Sequence, residues 1–280
     1  MKQKNANFNY NPQSTAIEYS NLGAIVDFDP EHEKNLHPGI PQKDRYSDIK
    51  SYKDNIITIK TDSKYINASP INIINDKYFI STQGPKKETI EDFWTMVIEH
   101  NSNVIVMLCN EKEGGREKCA SYWKSTKLKN GYEINAKEIF KTQLFLIREI
   151  EIKINNHSNS KKVYQIHFIG WPDHGVPETQ DGKIFDVFNE MIKITDQYKL
   201  DGPIVVHCSA GVGRTGTFIS IYYLQKEIQK QIDDKAQVIR FSIFNLVRKL
   251  KEMRLYLVQT DSQYYFIYEY VNDYLKKHNI

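Results

Sequence analysis

Residues 204–218 read Ile204-Val205-Val206-His207-Cys208-Ser209-Ala210-Gly211-Val212-Gly213-Arg214-Thr215-Gly216-Thr217-Phe218. Ile204–His207 is a short continuous apolar run, the pattern of a strand buried on both faces. A helix opens near Arg214. Between them lie only small residues, with Gly211 and Gly213 tolerating unusual backbone angles. Such a loop turns successive N–H groups inward as a concave anion site, and the helix N-terminus adds its positive end. The same field favours thiolate over thiol in a cysteine placed there. Arg214, at the far end, can grip two phosphate oxygens in a bidentate fork. A thiolate beneath a phosphoryl group, with fixed donors around its oxygens, is set for nucleophilic displacement. Cys208 therefore reads as a nucleophile and Arg214 as an oxyanion holder. A lone cysteine after a buried strand is ordinarily core packing; the spacing to Arg214 is what singles this one out.

The rest of the chain sets the frame. It has 280 residues, with 38 Lys+Arg against 35 Asp+Glu, 40% hydrophobic and 12% aromatic. That composition supports a sizeable core and excludes a disordered tail, a collagen-like fibre or a low-complexity array. A formal charge of +3 does not suggest a nucleic-acid binder. Cys109, Cys119 and Cys208 are odd in number and include no Cys-x-x-Cys pair, so a reducing, cytoplasmic location is expected. The polar N-terminus lacks a secretory signal, and no run approaches the ~18 apolar residues that span a bilayer. A catalytic fragment of a longer parent would look the same.

Residues 1–15, rich in Asn and Gln, read as a flexible segment, and residues 16–280 as one domain. The first helix is expected to open in Ile17–Leu22. Strands are expected at Tyr78–Thr82, Val104–Leu108, Leu144–Ile154, Lys162–Phe168 and Ile204–His207, with a turn at Asn155–Asn159. Helices are expected over Thr89–His100, Gly182–Tyr198, Val238–Met253 and Ser262–Lys277. The fold class is α/β (α+β): one twisted mixed sheet flanked by helices.

On its spacing alone the Cys-x5-Arg loop leaves open arsenate reduction and the low-molecular-weight or lipid phosphatases. Further motifs narrow this. Tyr65-Ile66-Asn67-Ala68-Ser69, Thr82-Gln83-Gly84-Pro85, Phe93-Trp94 with Met96-Val97, Trp171-Pro172-Asp173-His174-Gly175-Val176-Pro177 and Val258-Gln259-Thr260 accompany the loop His207–Gly216. From about residue 40 to 275 the chain resembles the phosphotyrosine-specific protein tyrosine phosphatases of the large-domain class. The smaller Cys-x5-Arg enzymes lack most of these motifs.

The resemblance implies a fold and a mechanism without metal or cofactor, acting on phosphotyrosine-containing proteins, with the chain expected to be a monomer. It makes Asp173 the general acid and then the base for water, on a loop braced by its prolines and glycine, with Trp171 as a supporting residue. It makes Gln259 the residue that positions the hydrolytic water and Gln263 a second glutamine of the site. Thr215 would hydrogen-bond the Cys208 sulfur, Glu113 would hold Arg214, and Lys118 would contact the acid loop. His207 supports the loop whose residues Ser209, Ala210, Gly211, Val212 and Gly213 bind the phosphoryl group. In Lys43-Asp44-Arg45-Tyr46-Ser47-Asp48, Tyr46 would stack on the substrate ring and Asp48 would accept from the substrate's amides. Two departures stand out. Asp44 replaces the usual Asn, exchanging a donor-acceptor for an acceptor, and Tyr256 stands where some relatives have Gly, narrowing a neighbouring groove.

A phosphotyrosine-binding module without chemistry would need a lost Cys, Arg or Asp, and none is lost. A lipid phosphatase would have a wider, more basic loop and no Tyr46 wall.

Overall fold

A computed structural model describes residues 8, 10–74, 77–154, 160–172, 175–179 and 182–280. It opens with helix α1 (Pro12–Leu22), a π-helical turn at Gly23–Asp27 and the short helix α2 (Pro30–Lys34). Strands β1 (Ala68–Ile74) and β2 (Lys77–Thr82) precede α3 (Ile90–Glu99) and β3 (Val104–Met107). Next come β4 (Lys112–Glu113), β5 (Arg116–Glu117), β6 (Thr126–Lys127), β7 (Glu133–Lys141), β8 (Phe145–Lys153) and β9 (Ser160–Phe168). The chain ends in α4 (Lys183–Tyr198), β10 (Ile204–His207), α5 (Gly213–Asp233), α6 (Ile243–Met253) and α7 (Asp261–Lys277).

Among the described residues eight strands join one mixed sheet in the order β1-β2-β10-β3-β9-β8-β7-β6, while β4 and β5 pair as a separate hairpin. The central four, β2, β10, β3 and β9, are parallel. Their apolar side chains, such as Ile80, Val205, Ile105 and Ile166, have no accessible surface, as parallel strands covered on both faces require. The sheet and its flanking helices share one continuous apolar core, so the expected class and single-domain organisation are what the chain adopts.

Register decides where the loops go. His207 pairs with Thr82 on one side and Met107 on the other, and Met107 pairs with His167. Four parallel strands thus finish in one row. The loops that follow them leave from the carboxyl edge, where open α/β sheets bind ligands.

Three expectations need adjusting. Helix α1 begins at Pro12, inside the segment expected to be flexible. Asn11 and Ser14 cap it reciprocally, and Phe8 stacks on Tyr268 at 5.5 Å. Helix α6 begins at Ile243 rather than Val238. Ser242 caps it, and the Gln231 side chain brackets Arg240 by donating to its carbonyl and accepting from its N–H. Strands β1 and β7 were not expected; β7 (Glu133–Lys141) is mostly exposed beyond Ala136, and its charged residues hide the alternation. The turn expected at Asn155–Asn159 lies outside the described residues. Among the described residues no helix is long and apolar enough to cross a membrane.

Candidate active site

Cys208 follows β10 directly and lines a cleft of about 370 Å³. The Thr215 hydroxyl donates to the Cys208 sulfur at 3.3 Å, a bond that strengthens when the sulfur is anionic. Among the described residues no side chain caps α5, which leaves its first-turn N–H groups for an anion. Two glycines make the loop possible. Gly211 has φ +74°, and a Cβ there would fall 2.2 Å from the Thr82 carbonyl oxygen. A Cβ on Gly216 would lie 2.3 Å from the Val258 nitrogen, so α5 packs against the Val258–Thr260 segment at backbone distance.

Arg214 is aimed by Glu113. Its Nη1 donates to Oε1 at 2.6 Å and its Nη2 to Oε2 at 2.9 Å. Burial is the largest influence and opposes the guanidinium charge. The Glu113 hydrogen bond, together with the electrostatic pull of Cys208, Glu113 and Cys109, outweighs it, and Arg214 sits above its ordinary range. Glu113 is held in turn by the Asn110 N–H at 2.9 Å, at the start of the β4–β5 hairpin. Arg214 Nη2 also reaches the Pro172 carbonyl at 3.3 Å, and its guanidinium lies 5.9 Å from the Trp171 ring centroid. Trp171 is buried, and its indole N–H closes onto the Gly175 carbonyl at 3.1 Å. Gly175 itself lines the cleft. Asp173, the expected acid between these anchors, lies outside the described residues.

The opposite wall is Tyr46, whose hydroxyl lies 2.8 Å from Ser209 Oγ. Ser209 spends its single proton on the Lys118 carbonyl at 2.9 Å, so Tyr46 is the donor. That bond ties the wall to the anion loop. Asp48 is exposed on the rim, and Lys118 is among the residues that line the cleft. Gln83 fastens the wall from behind, accepting from Arg45 N at 2.9 Å and donating to the Lys43 carbonyl at 2.8 Å. The departure at Asp44 is fully accommodated. Its carboxylate accepts from Tyr65, Asn67 and the Ile40 N–H, and pairs with Lys50 at 2.5 Å.

Gln259 is exposed on the third side of the cleft. Gln263 is mostly buried, and its Oε1 accepts from the Gln259 N–H at 2.9 Å, so it fixes the backbone of its neighbour. Ala210 and Gly213 line the cleft, whereas Val212 is fully buried and takes part only through its backbone. His207 is also buried, and its Nδ1 meets the Cys208 carbonyl at 3.0 Å. Burial pushes its ring down to about 3, so it is neutral. The site thus gathers every expected residue that is described.

Two arginines were not expected. Arg45 braces the Thr82–Pro85 loop through the carbonyls of Gly84 and Pro85. Arg254 is fully buried beneath the anion loop, donating to the Gly211 and Ala210 carbonyls, Asn67 Oδ1 and the hydroxyls of Ser51 and Ser69. Burial lowers its pKa to about 10. Arg45 stood inside a quoted motif. For Arg254 the sequence carries no signal that separates it from the surface Arg248.

The protein-tyrosine phosphatase family model matches residues 40–273. The chain is 36% identical over 285 residues to human tyrosine-protein phosphatase non-receptor type 20, covering 99% of this chain and 63% of that protein. It is 38% identical over 222 residues to tyrosine-protein phosphatase 2 of Dictyostelium discoideum, covering 77% and 57%. The chain therefore spans about three fifths of the length of these relatives. Among solved structures, the catalytic domain of human protein tyrosine phosphatase non-receptor type 18 (PTPN18) superposes with a TM-score of 0.75 at 29% identity, covering 92% of this chain and 95% of that one. A second PTPN18 structure superposes with a TM-score of 0.81 over 94% of this chain and 95% of that one, also at 29% identity. The chain belongs to the protein-tyrosine phosphatase family.

Proposed function

We infer that this chain hydrolyses phosphotyrosine in proteins through a cysteinyl-phosphate intermediate. The observation that carries the reading is Cys208 in the cleft wall, between the Thr215 hydroxyl and an Arg214 clamped by Glu113. In the first step the thiolate attacks phosphorus while Arg214 and the N–H groups of Ser209–Gly213 hold the equatorial oxygens. The P–O bond to the tyrosine breaks as Asp173 gives its proton to the leaving phenolate. In the second, water beside Gln259 gives a proton to Asp173 and attacks phosphorus, releasing phosphate and regenerating the thiolate.

Substrate class rests on the wall. Tyr46 presents a ring to one side of the cleft, and PTPN18 has been solved in complex with HER2 phosphopeptides. Cytoplasmic, monomeric action belongs to the same reading. Its supports are three unpaired cysteines, as a reducing compartment favours, and a cleft built from one chain.

The test compares phosphate release from matched phosphotyrosine and phosphoserine peptides and from a phosphoinositide. Phosphotyrosine should dominate, Cys208→Ser should abolish turnover yet still bind phosphopeptide, and Asp173→Asn should remove the basic limb of the pH profile. Preferential release from the phosphoinositide would overturn the substrate class, and release by Cys208→Ser within tenfold of wild type would overturn the nucleophile.

A further inference from the structure

We propose that Arg148, Gln165 and Tyr122 form a buried hydrogen-bond relay that sets the tautomer of His207 and so positions the Cys208–Ser209 peptide of the anion loop. Arg148, on β8, donates to Gln165 Oε1 at 2.5 Å. Gln165 Nε2, on β9, donates to the Tyr122 oxygen at 2.7 Å, and the Tyr122 hydroxyl lies 2.8 Å from His207 Nε2. His207 Nδ1 then faces the Cys208 carbonyl at 3.0 Å.

The chemistry of the two ends dictates the direction. Guanidinium is a donor only, so Gln165 must turn its oxygen to Arg148 and its NH2 to Tyr122. The second amide proton goes to the Met107 sulfur at 3.5 Å. Tyr122 therefore accepts from Gln165 and gives its own proton to His207 Nε2; the competing Met107 sulfur is weak and 3.9 Å away. At the other end the Cys208 carbonyl is an acceptor only, so Nδ1 must carry the ring proton. Both ends demand the same neutral Nδ1–H ring.

The neutral state agrees with the surroundings. Among the described residues the titratable and charged groups facing His207 are Tyr122, Cys208, His167 and, farther off, Arg45. Burial is the main reason the ring stays unprotonated.

The consequence lies in one peptide unit. A hydrogen bond to the Cys208 carbonyl polarises the amide whose N–H belongs to Ser209, one of the donors of the anion loop. It also fixes that plane, and with it the Cys208 sulfur. Arg148 is itself held, 4.4 Å from the Trp123 ring centroid and 3.3 Å from His167 Nδ1. These are positioning residues, and the catalytic half of the proposal rests on Cys208 being the nucleophile.

The test reads the ring directly. Long-range 1H–15N spectra of the histidine side chains should show His207 in wild type as a neutral ring protonated on Nδ1. In Gln165→Glu, beside Arg148, the carboxylate accepts from Tyr122, whose oxygen must then accept from His207, so Nε2 should gain a proton. In Tyr122→Phe, kcat for a phosphotyrosine peptide should fall about three- to tenfold with KM nearly unchanged and Tm within a few degrees. A wild-type ring protonated on Nε2 overturns the relay even if neither variant folds. So does Gln165→Glu that leaves Nε2 bare. Iodoacetate blocking activity by labelling a cysteine other than Cys208 would instead overturn the catalytic half, leaving the ring assignment standing.

Discussion

Arg214 and Glu113 form a two-pronged ion pair across 101 positions of sequence, at 2.6 and 2.9 Å. Their side chains are 14% and 4% exposed, so the pair is held away from screening solvent. Glu113→Gln keeps the shape but loses one acceptor and the charge. The expected result is a fall in kcat/KM of about 10- to 100-fold, as Arg214 loses its aim. A variant with wild-type kinetics would mean that the guanidinium is oriented by the loop alone.

Asp44 and Lys50 should behave as a coupled unit. The carboxylate is almost fully buried and the ammonium mostly so, and removing one buried partner strands the other. Asp44→Asn is expected to cost about 2–4 kcal/mol, and Lys50→Met in that background to recover part of it. A double-mutant cycle by urea denaturation reads the coupling. Additive losses would show the pair to be independent.

Acid should destabilise the fold through two buried rings. Burial pushes His207 down to about 3 and His167 to about 4, against 6.5 unperturbed. Between those values the unfolded chain binds protons that the folded chain refuses, so folded stability is complete above about pH 6.5 and falls as pH drops. Each ring contributes a slope of up to about 1.4 kcal/mol per pH unit. Urea midpoints from pH 7.5 to 4.5 should show this slope, and His167→Gln should flatten it. An unchanged slope would assign acid sensitivity to other groups.

Selectivity should depend on the height of the Tyr46 wall. Phosphotyrosine carries its phosphorus several ångströms farther from the peptide backbone than phosphoserine. Reacting atoms must come within ~3–3.5 Å, so a short side chain left outside loses most of its rate. Ring contact with Tyr46 adds about 0.5–1.5 kcal/mol for phosphotyrosine. Tyr46→Ala should weaken phosphotyrosine turnover and leave the poor phosphoserine rate nearly as it is. Similar wild-type kcat/KM on matched peptides would make the rim too shallow to discriminate.

Peroxide should inactivate the enzyme at Cys208 first, reversibly, because Cys208, though only 5% exposed, is a residue of the cleft wall. Cys109 is buried, and burial raises its thiol well above the ordinary range. Cys119 is buried as well. Differential alkylation read by mass spectrometry should find Cys208 modified earliest and bound phosphate protecting it. Cys109 or Cys119 oxidised ahead of Cys208 would contradict this order.

Much of the site was legible because its parts are local. The apolar run Ile204–His207, the small-residue loop and the helix start near Arg214 are contiguous, so strand, turn and anion cradle could be read from one stretch. Trp171–Pro177 and Val258–Thr260 were legible as motifs. Other features resisted for physical reasons. The capping pair Asn11 and Ser14 sits in a polar, Asn-rich segment that resembles a frayed end. Strand β7 turns charged residues to solvent, and Arg254 looks like any surface arginine until the fold closes over it.

By itself the sequence determined the class: a buried parallel strand feeding a phosphate-binding loop, with a cysteine and an arginine at its ends. Only the tertiary structure decided how the pieces meet. Register places Thr82, His207, Met107 and His167 in one row, and so brings the loops bearing Gly84, Cys208, Glu113 and Trp171 to one edge. Side-chain pairing then joins Arg214 to Glu113, Asp44 to Lys50 and Tyr46 to Ser209. Hydrophobic periodicity encodes which face of an element is buried. Which distant group lies opposite is set by strand register and packing, and these arise only when the whole chain condenses.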